Sequence, residues 1–261
     1  MKVVITGGEG FIGKALAAAL SKRGAEVIII DRKRGIEAKD FFDTVPNLNE
    51  ADCVYHLAAQ TSVFNSNHSQ IMHDNIETFM AVCDACKRAG VKLVYASSST
   101  ANSPNTTSLY GISKRFNEDY ARCYYPQATG VRLHNVYGPD PRQGTLLWHL
   151  LNDNPVRLVN GGRNVRHFTY IDDVVEGLIY AYGCNKPLIN VANPEETSVY
   201  DFALAVQEYN HAEISLLTGK REFDKIAQTV DEGIFTVPLS YTPVQEGIRR
   251  VFDIIDNGTA Q

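Results

Sequence analysis

Short apolar runs alternate along the chain with stretches in which apolar residues recur every three or four positions, a rhythm that predicts strands alternating with helices. Lys2-Val3-Val4-Ile5 and Glu26-Val27-Ile28-Ile29-Ile30 predict the first two strands, with Ala15, Leu16, Ala19 and Leu20 marking the helix between them. Three further strands are predicted at Cys53-Val54-Tyr55-His56-Leu57-Ala58-Ala59, Val91-Lys92-Leu93-Val94-Tyr95-Ala96 and Thr129-Gly130-Val131-Arg132-Leu133. A helix is predicted from Ile71 to Ala89, stopped by Gly90, and another carries Tyr110. This order implies an α/β fold with a doubly wound parallel sheet. Past Gly138-Pro139-Asp140-Pro141 the rhythm loosens, and Arg166-His167-Phe168-Thr169-Tyr170-Ile171-Asp172-Asp173 returns to the first unit. The expected division is residues 1–138 plus about 166–186 for the sheet domain. About 139–165 plus 187–261 then form a small, shortened C-terminal lobe.

The first strand runs straight into Thr6-Gly7-Gly8-Glu9-Gly10-Phe11-Ile12-Gly13 and a helix. Strand, glycine turn and helix in that order suit a dinucleotide pyrophosphate, because glycines let the backbone approach closely and the helix amino terminus faces the phosphates. The second strand ends at Asp31, eighteen residues past Gly13, where a carboxylate accepts hydrogen bonds from the adenosine ribose. The sheet is therefore expected to be Rossmann-type. Asp31 repels a 2′-phosphate and favours NAD over NADP, although Arg32, Lys33 and Arg34 follow it and soften that repulsion.

Tyr110 and Lys114 lie four residues apart, on one helix face. A nearby ammonium favours the phenolate, so Tyr110 is a candidate proton acceptor. Bringing a tyrosine from about 10 to about 7 takes roughly 4 kcal/mol. A cation at about 4 Å supplies a similar amount at an effective dielectric near 20. Lys114 alone nearly suffices on this reckoning, with help from a positively charged nicotinamide ring.

The 261 residues carry a net charge of −5 without a long basic run, which argues against a nucleic-acid partner. No run of apolar residues is long enough to cross a membrane, and the apolar start is too short for a signal peptide. Cys53, Cys83, Cys86, Cys123 and Cys184 lack a second metal-ligand pair and are expected to be reduced, mostly buried thiols of a cytoplasmic protein. His56, His68 and His73 are expected to be structural or superficial, Asp172-Asp173 to cap a helix, and no metal site is expected.

Taken together, these motifs resemble the extended short-chain dehydrogenase/reductase family, in its nucleotide-sugar epimerase and dehydratase branch. The resemblance rests on the glycine turn, Asp31, Lys39-Asp40, His56-Leu57-Ala58-Ala59-Gln60, Asn75, Ala96-Ser97-Ser98-Ser99-Thr100 and Tyr110 with Lys114. Arg132-Leu133-His134-Asn135-Val136-Tyr137-Gly138-Pro139, Arg166-His167-Phe168 with Asp172-Asp173, and Asn190-Val191-Ala192-Asn193 extend it. The resemblance implies NAD as cofactor and a nucleotide-diphosphate sugar as substrate. By position, Gly7, Gly10, Phe11, Ile12 and Gly13 surround the pyrophosphate, with Asp31 and Arg32 at the adenosine ribose. Asp40 and Phe41 flank adenine. Leu57, Ala58, Ala59, Asn75 and Ala96 complete the cofactor channel, and Lys114 also binds the nicotinamide ribose. Ser98, within one residue of register, meets the reacting sugar hydroxyl. Asn135 contacts the sugar nucleotide, and Arg166 and Arg221 clamp its diphosphate.

The implied activity is epimerisation through a transient 4-keto sugar. The related 4,6-dehydratases place an Asp-Glu pair after the catalytic residue, and the decarboxylases an acid; here Ser99 and Thr100 stand there. A 4-keto-sugar reductase, a dehydratase and a non-catalytic NAD or sugar-nucleotide binder are the alternatives. Only eleven residues separate Ser98 from Tyr110, about half the family interval, so a loop shaping the sugar pocket is trimmed. The resemblance also implies a possible homodimer, paired through the helices near Asn75 and Tyr110.

Overall fold

The computed structural model describes residues 1–44, 48–219 and 225–258. Its centre is a six-stranded sheet of β1 (Lys2–Thr6), β2 (Glu26–Ile30), β3 (Cys53–His56), β4 (Lys92–Ser98), β5 (Thr129–Leu133) and the strand Leu188–Val191. The spatial order is Leu188–Val191, β5, β4, β3, β1, β2, and every pairing is parallel. Helices cover both faces, which is why the strands read as continuous apolar runs and not as alternating ones. The sixth strand lies just past the return segment 166–186, so the sheet takes in residues that the pattern had assigned to the small lobe.

One face is covered by α1 (Phe11–Lys22) and α7 (Ile171–Tyr182), through Leu16, Leu20, Val174 and Leu178. The other is covered by α2 (Ala38–Thr44), α4 (Thr78–Ala89) and α5 (Leu109–Tyr124), through Phe42, Phe79, Val82 and Ala121. Cys83 and Cys86 pack in this second layer as buried thiols; Cys53 and Cys184 are also buried, and Cys123 is exposed. Gly90 ends α4 in the left-handed conformation (φ 69°), a backbone state that glycine adopts without steric cost. The helix predicted from Ile71 to Ala89 is present but not uniform. A short α3 (His68–Ile71) passes into a π-turn (Met72–Glu77) before α4 begins.

A third cluster joins α6 (Leu146–Asn152), α8 (Val199–Asn210) and α9 (Val244–Gly258) around Tyr137, Phe168, Phe202 and Ile248. Residues 225–242 return from it onto the sheet. Val237 N–H donates to the Asn190 carbonyl, Arg132 pairs with Asp231, and Asp173 accepts from Thr242 N–H and Oγ1 at 2.8 and 3.0 Å. Asp173 therefore pins the chain's return and does not cap α7, whose N-cap position is Tyr170 without a side-chain hydrogen bond.

Candidate active site

In the parallel sheet, β2 lies on one side of β1 and β3 on the other, so strand order reverses between β1 and β3. Their carboxyl ends open a crevice, the standard position for a ligand in such sheets. A cleft of about 1000 Å³ begins there and extends past α5 to α6. Gly7, Gly10, Phe11, Ile12 and Gly13 line its floor. Gly7 has φ 70°, and a Cβ on it would press on the Ala58 backbone, while a Cβ on Gly13 would collide with the Gly7 carbonyl oxygen. Side chains there would fill the space between turn, β3 end and helix, so the cradle fits a pyrophosphate against the start of α1.

Asp31 stands at the next station. Its carboxylate accepts from Glu9 N–H and Lys33 N–H, both at 2.9 Å, tying the glycine turn to the end of β2. Ile36, Glu37 and Ala38 line the adenosine end of the cleft, with Arg32 and Asp74. Asp40 and Phe41, expected to flank adenine, do not line it: Asp40 is exposed and Phe41 packs into the core beneath α2, one turn too far along that helix. Asn75, expected in the cofactor channel, is likewise outside the cleft wall. It is buried, accepting from Gln60 N–H at 2.7 Å and donating to the Gln60 carbonyl and Ser113 Oγ. It holds the segment after β3, whose Leu57, Ala58 and Ala59 do line the cleft, against α5.

α5 begins at Ser108, whose hydroxyl accepts from Gly111 N–H, and this cap puts Tyr110 in the first turn, facing the cleft. Ser98, at the end of β4, lines the cleft with Tyr110, and its Oγ lies 2.9 Å from Thr100 Oγ1. Ser97, Ser98 and Ser99 all line the cleft, but Ser97 Oγ donates to Glu118 and Ser99 Oγ to Gln228. Lys114 is buried and donates from Nζ to the Ala96 carbonyl at 2.8 Å. Burial pushes its ammonium down to about 8, opposed by the Glu118 carboxylate one turn on.

The electrostatics of Tyr110 differ from the expectation. Burial raises its proton affinity, and the opposing contributions come from the Ser98 hydroxyl and from the charge of Arg142. Lys114 Nζ lies 5.9 Å from the ring centroid and donates to the Ala96 carbonyl. Arg142 went unnoticed in the sequence because it stands in an irregular stretch; it reaches Thr61 across the cleft with a short hydrogen bond.

Asn135 lines the cleft at φ 25°, a sparsely populated conformation for a residue with a side chain, and its Oδ1 is buried without a hydrogen-bond partner. Arg166 also lines the cleft, but its terminal nitrogens donate to the carbonyls of Val165, Ile226 and Lys225. It thereby staples the returning segment to the wall, a task that competes with gripping a diphosphate. Arg221 lies outside the described residues. The returning segment contributes two contacts the sequence did not suggest. Gln228 is hydrogen-bonded to Ser99, and Asn105 of the trimmed loop exchanges hydrogen bonds with Thr229. His56 is a structural residue: buried, 2.8 Å from Thr6 Oγ1 and held neutral by burial, which pushes it down to about 3.

A family model described as NAD dependent epimerase/dehydratase matches residues 3–192. The chain belongs to this family. Among curated proteins, it is similar to protein CapI of Staphylococcus aureus, at 32% identity over 68% of each chain. It is also similar to UDP-glucuronate 4-epimerase 3 of Arabidopsis thaliana, at 30% identity. That match covers 69% of this chain but 54% of the plant enzyme, so the chain spans little more than half of that relative's length. Among solved structures, the UDP-glucose 4-epimerase of Thermus thermophilus in complex with NAD superposes with a TM-score of 0.76 at 25% identity. The match covers 97% of this chain and 98% of that one. The family's cofactor is NAD, in keeping with the glycine cradle and Asp31. No helix among the described residues is long and apolar enough to cross a membrane, and they contain no cluster of three or more potential metal ligands.

Proposed function

We propose that this protein is an NAD-dependent epimerase of a nucleotide-diphosphate sugar, working through a transient 4-keto sugar. The observation that carries the reading is the convergence of Tyr110, Ser98 and Lys114 on one cleft with the glycine cradle, with no carboxylic acid at positions 99 and 100. Bound NAD supplies a reversible acceptor for the hydride of an oxidisable carbon. Tyr110 takes the proton of the sugar hydroxyl and returns it after inversion, because its phenol lines the cleft together with Ser98. Ser98 holds the same oxygen and shares the proton's path. Lys114, fixed on the Ala96 carbonyl, would hold the nicotinamide ribose and supply positive charge there. Asn135 holds the sugar nucleotide through its unpartnered amide oxygen, and Arg166 borders the diphosphate. Ser99 and Thr100 are poor proton donors, which disfavours the elimination that dehydratases perform.

The sugar in this reading carries a carboxylate. A guanidinium close enough to influence Tyr110 is matched to an acid group near the reacting carbon, and the UDP-glucuronate 4-epimerase relative agrees. Residues 1–138 and 166–191 form the NAD-binding unit, and the remainder closes on the sugar. A cytoplasmic setting fits the free, mostly buried thiols. A homodimer through α4 and α5 fits their exposed Met80, Ile112 and Phe116.

The test is proton NMR of UDP-glucuronate, UDP-glucose and their N-acetylated and guanosine counterparts, each incubated with the protein and NAD. Appearance of a C4 epimer without net NADH is the expected result. A Tyr110→Phe protein that still equilibrates epimers at near wild-type rate would overturn the assignment. Stoichiometric consumption of NADPH on a keto sugar would favour the reductase reading instead.

A further inference from the structure

Three cations follow Asp31, two of which, Arg32 and Lys33, line the adenosine end of the cleft, and all three are engaged. Arg32 donates from Nη1 to Asp74 Oδ2 at 3.0 Å and from Nη2 to Asp74 Oδ1, a bidentate pair, while its Nε donates to Glu37 at 2.8 Å. Arg34 pairs with Glu9 at 2.6 Å, and Lys33 Nζ donates to the Glu9 carbonyl at 3.0 Å. The Arg32 pair joins two separate elements. Arg32 leaves the end of β2, and Asp74 projects from the π-turn ahead of α4; both line the adenosine end of the cleft.

Asp74 is built to hold on. Its carboxylate is only 7% exposed and has a second partner in His73 Nδ1 at 3.0 Å. Burial alone would raise its proton affinity, yet the hydrogen bonds from Arg32 and His73 hold it below the usual carboxylate range. Asp31, by contrast, has both carboxylate oxygens in hydrogen bonds with backbone amides. Part of its charge is spent there, so its repulsion of a 2′-phosphate is weakened. An arginine next to such an acid is the side chain that would accommodate the phosphate of NADP. Its guanidinium would need to leave Asp74 and Glu37 to do so.

We propose that Asp74 is the specificity-determining residue for the cofactor: by keeping Arg32 in a bidentate pair, it denies a 2′-phosphate its counter-charge and makes the cleft select NAD. Glu37 supports it from the other side of the guanidinium. The assignment rests on the reading of this cleft as a dinucleotide site and adds the residue that sets the choice between two dinucleotides.

The test equilibrates the full chain with equal concentrations of NAD and NADP, removes unbound nucleotide, and quantifies what remains by chromatography. Wild type is expected to hold NAD. In Asp74→Ala the bound NADP to NAD ratio should rise at least about tenfold, the worth of one charge-assisted contact. Glu37→Ala should raise it less. Adding Arg32→Ala to Asp74→Ala should cancel the gain, which a merely structural role for Asp74 would not produce. Asp74→Asn keeps side-chain volume and removes the charge, so it should move the ratio in the same direction even if the alanine variant is unstable. An unchanged ratio in Asp74→Asn, or a gain that persists without Arg32, overturns the proposal. A folded wild-type protein that retains neither nucleotide would strike at the reading of the cleft itself, a different outcome.

Discussion

Burial pushes the Lys114 ammonium down to about 8 while the neighbouring Glu118 carboxylate pulls it back up. Lys114 therefore loses its charge within the range where such an enzyme works, and kcat/KM should fall above about pH 8 as the amine deprotonates. Removing the opposing charge with Glu118→Gln should move that alkaline limb to lower pH. A pH–rate profile of the two proteins, taken where both melt cooperatively, checks it; a limb that stays put or moves upward contradicts the coupling. Cooperativity matters because Glu118 also anchors Arg132 at 2.7 and 2.8 Å, and breaking a buried pair costs about 3–5 kcal/mol. Arg142 offers a second test. If it receives a sugar carboxylate, Arg142→Ala should lower kcat/KM for a nucleotide-linked hexuronate by about tenfold or more, the worth of a charge-assisted contact. The neutral hexose should be much less affected. Equal losses on both substrates in steady-state assays would remove the carboxylate from the reading.

Elements divide by how their order is encoded. The central strands could be read from composition because burial on both faces demands unbroken apolar runs, and the glycine turn because close backbone approach excludes side chains. Tyr110 and Lys114 were legible for a similar reason: helical spacing fixes their common face. The π-turn at Met72–Glu77 was not, since one widened turn barely disturbs a periodicity carried by its neighbours. That turn presents Asp74 and Asn75 on the inner side of the helix, where both are buried. It explains why Asn75 serves as a brace between the Gln60 segment and α5 and does not line the cofactor wall. Asp40 and Phe41 went astray by one turn of α2, a displacement no local pattern records. Arg142 and Gln228 were invisible because long-range packing, not periodicity, brings them to the cleft. The brace itself can be measured. Asn75→Ala removes three hydrogen bonds and leaves buried partners unsatisfied, so urea unfolding should show a loss of about 1–3 kcal/mol or more. NAD affinity should weaken with it, because Leu57, Ala58 and Ala59 share the released segment. An unchanged midpoint would mean that Gln60 is held by other means.

Across the whole molecule, two buried histidines link the site to acid stability. His56 lies under the glycine turn and His134 next to Asn135 on the cleft wall; burial pushes each down to about 3. In the unfolded chain both titrate near 6.5. Below that value the unfolded state binds the extra protons, so the stability due to their neutral form is complete above pH 6.5 and is lost as pH falls towards 3. Each group removes up to about 1.4 kcal/mol per pH unit in that window, and two together erode a total stability of the usual 5–15 kcal/mol quickly. Tm should therefore fall steeply between pH 6.5 and 4. The two residues are separable by their surroundings. His56 has a hydrogen bond to Thr6, whereas both ring nitrogens of His134 are buried without partners, beside the His167 ring at 5.7 Å. His134→Leu removes a titrating group and two unsatisfied atoms at once. Its Tm at pH 7.5 should match or exceed wild type, and the acid slope should flatten by about half, as expected when one of two equal groups is deleted. Calorimetric scans across that pH range decide the matter: a slope unaltered by the substitution would mean that His134 is already charged in the folded protein, or that other groups drive the acid transition.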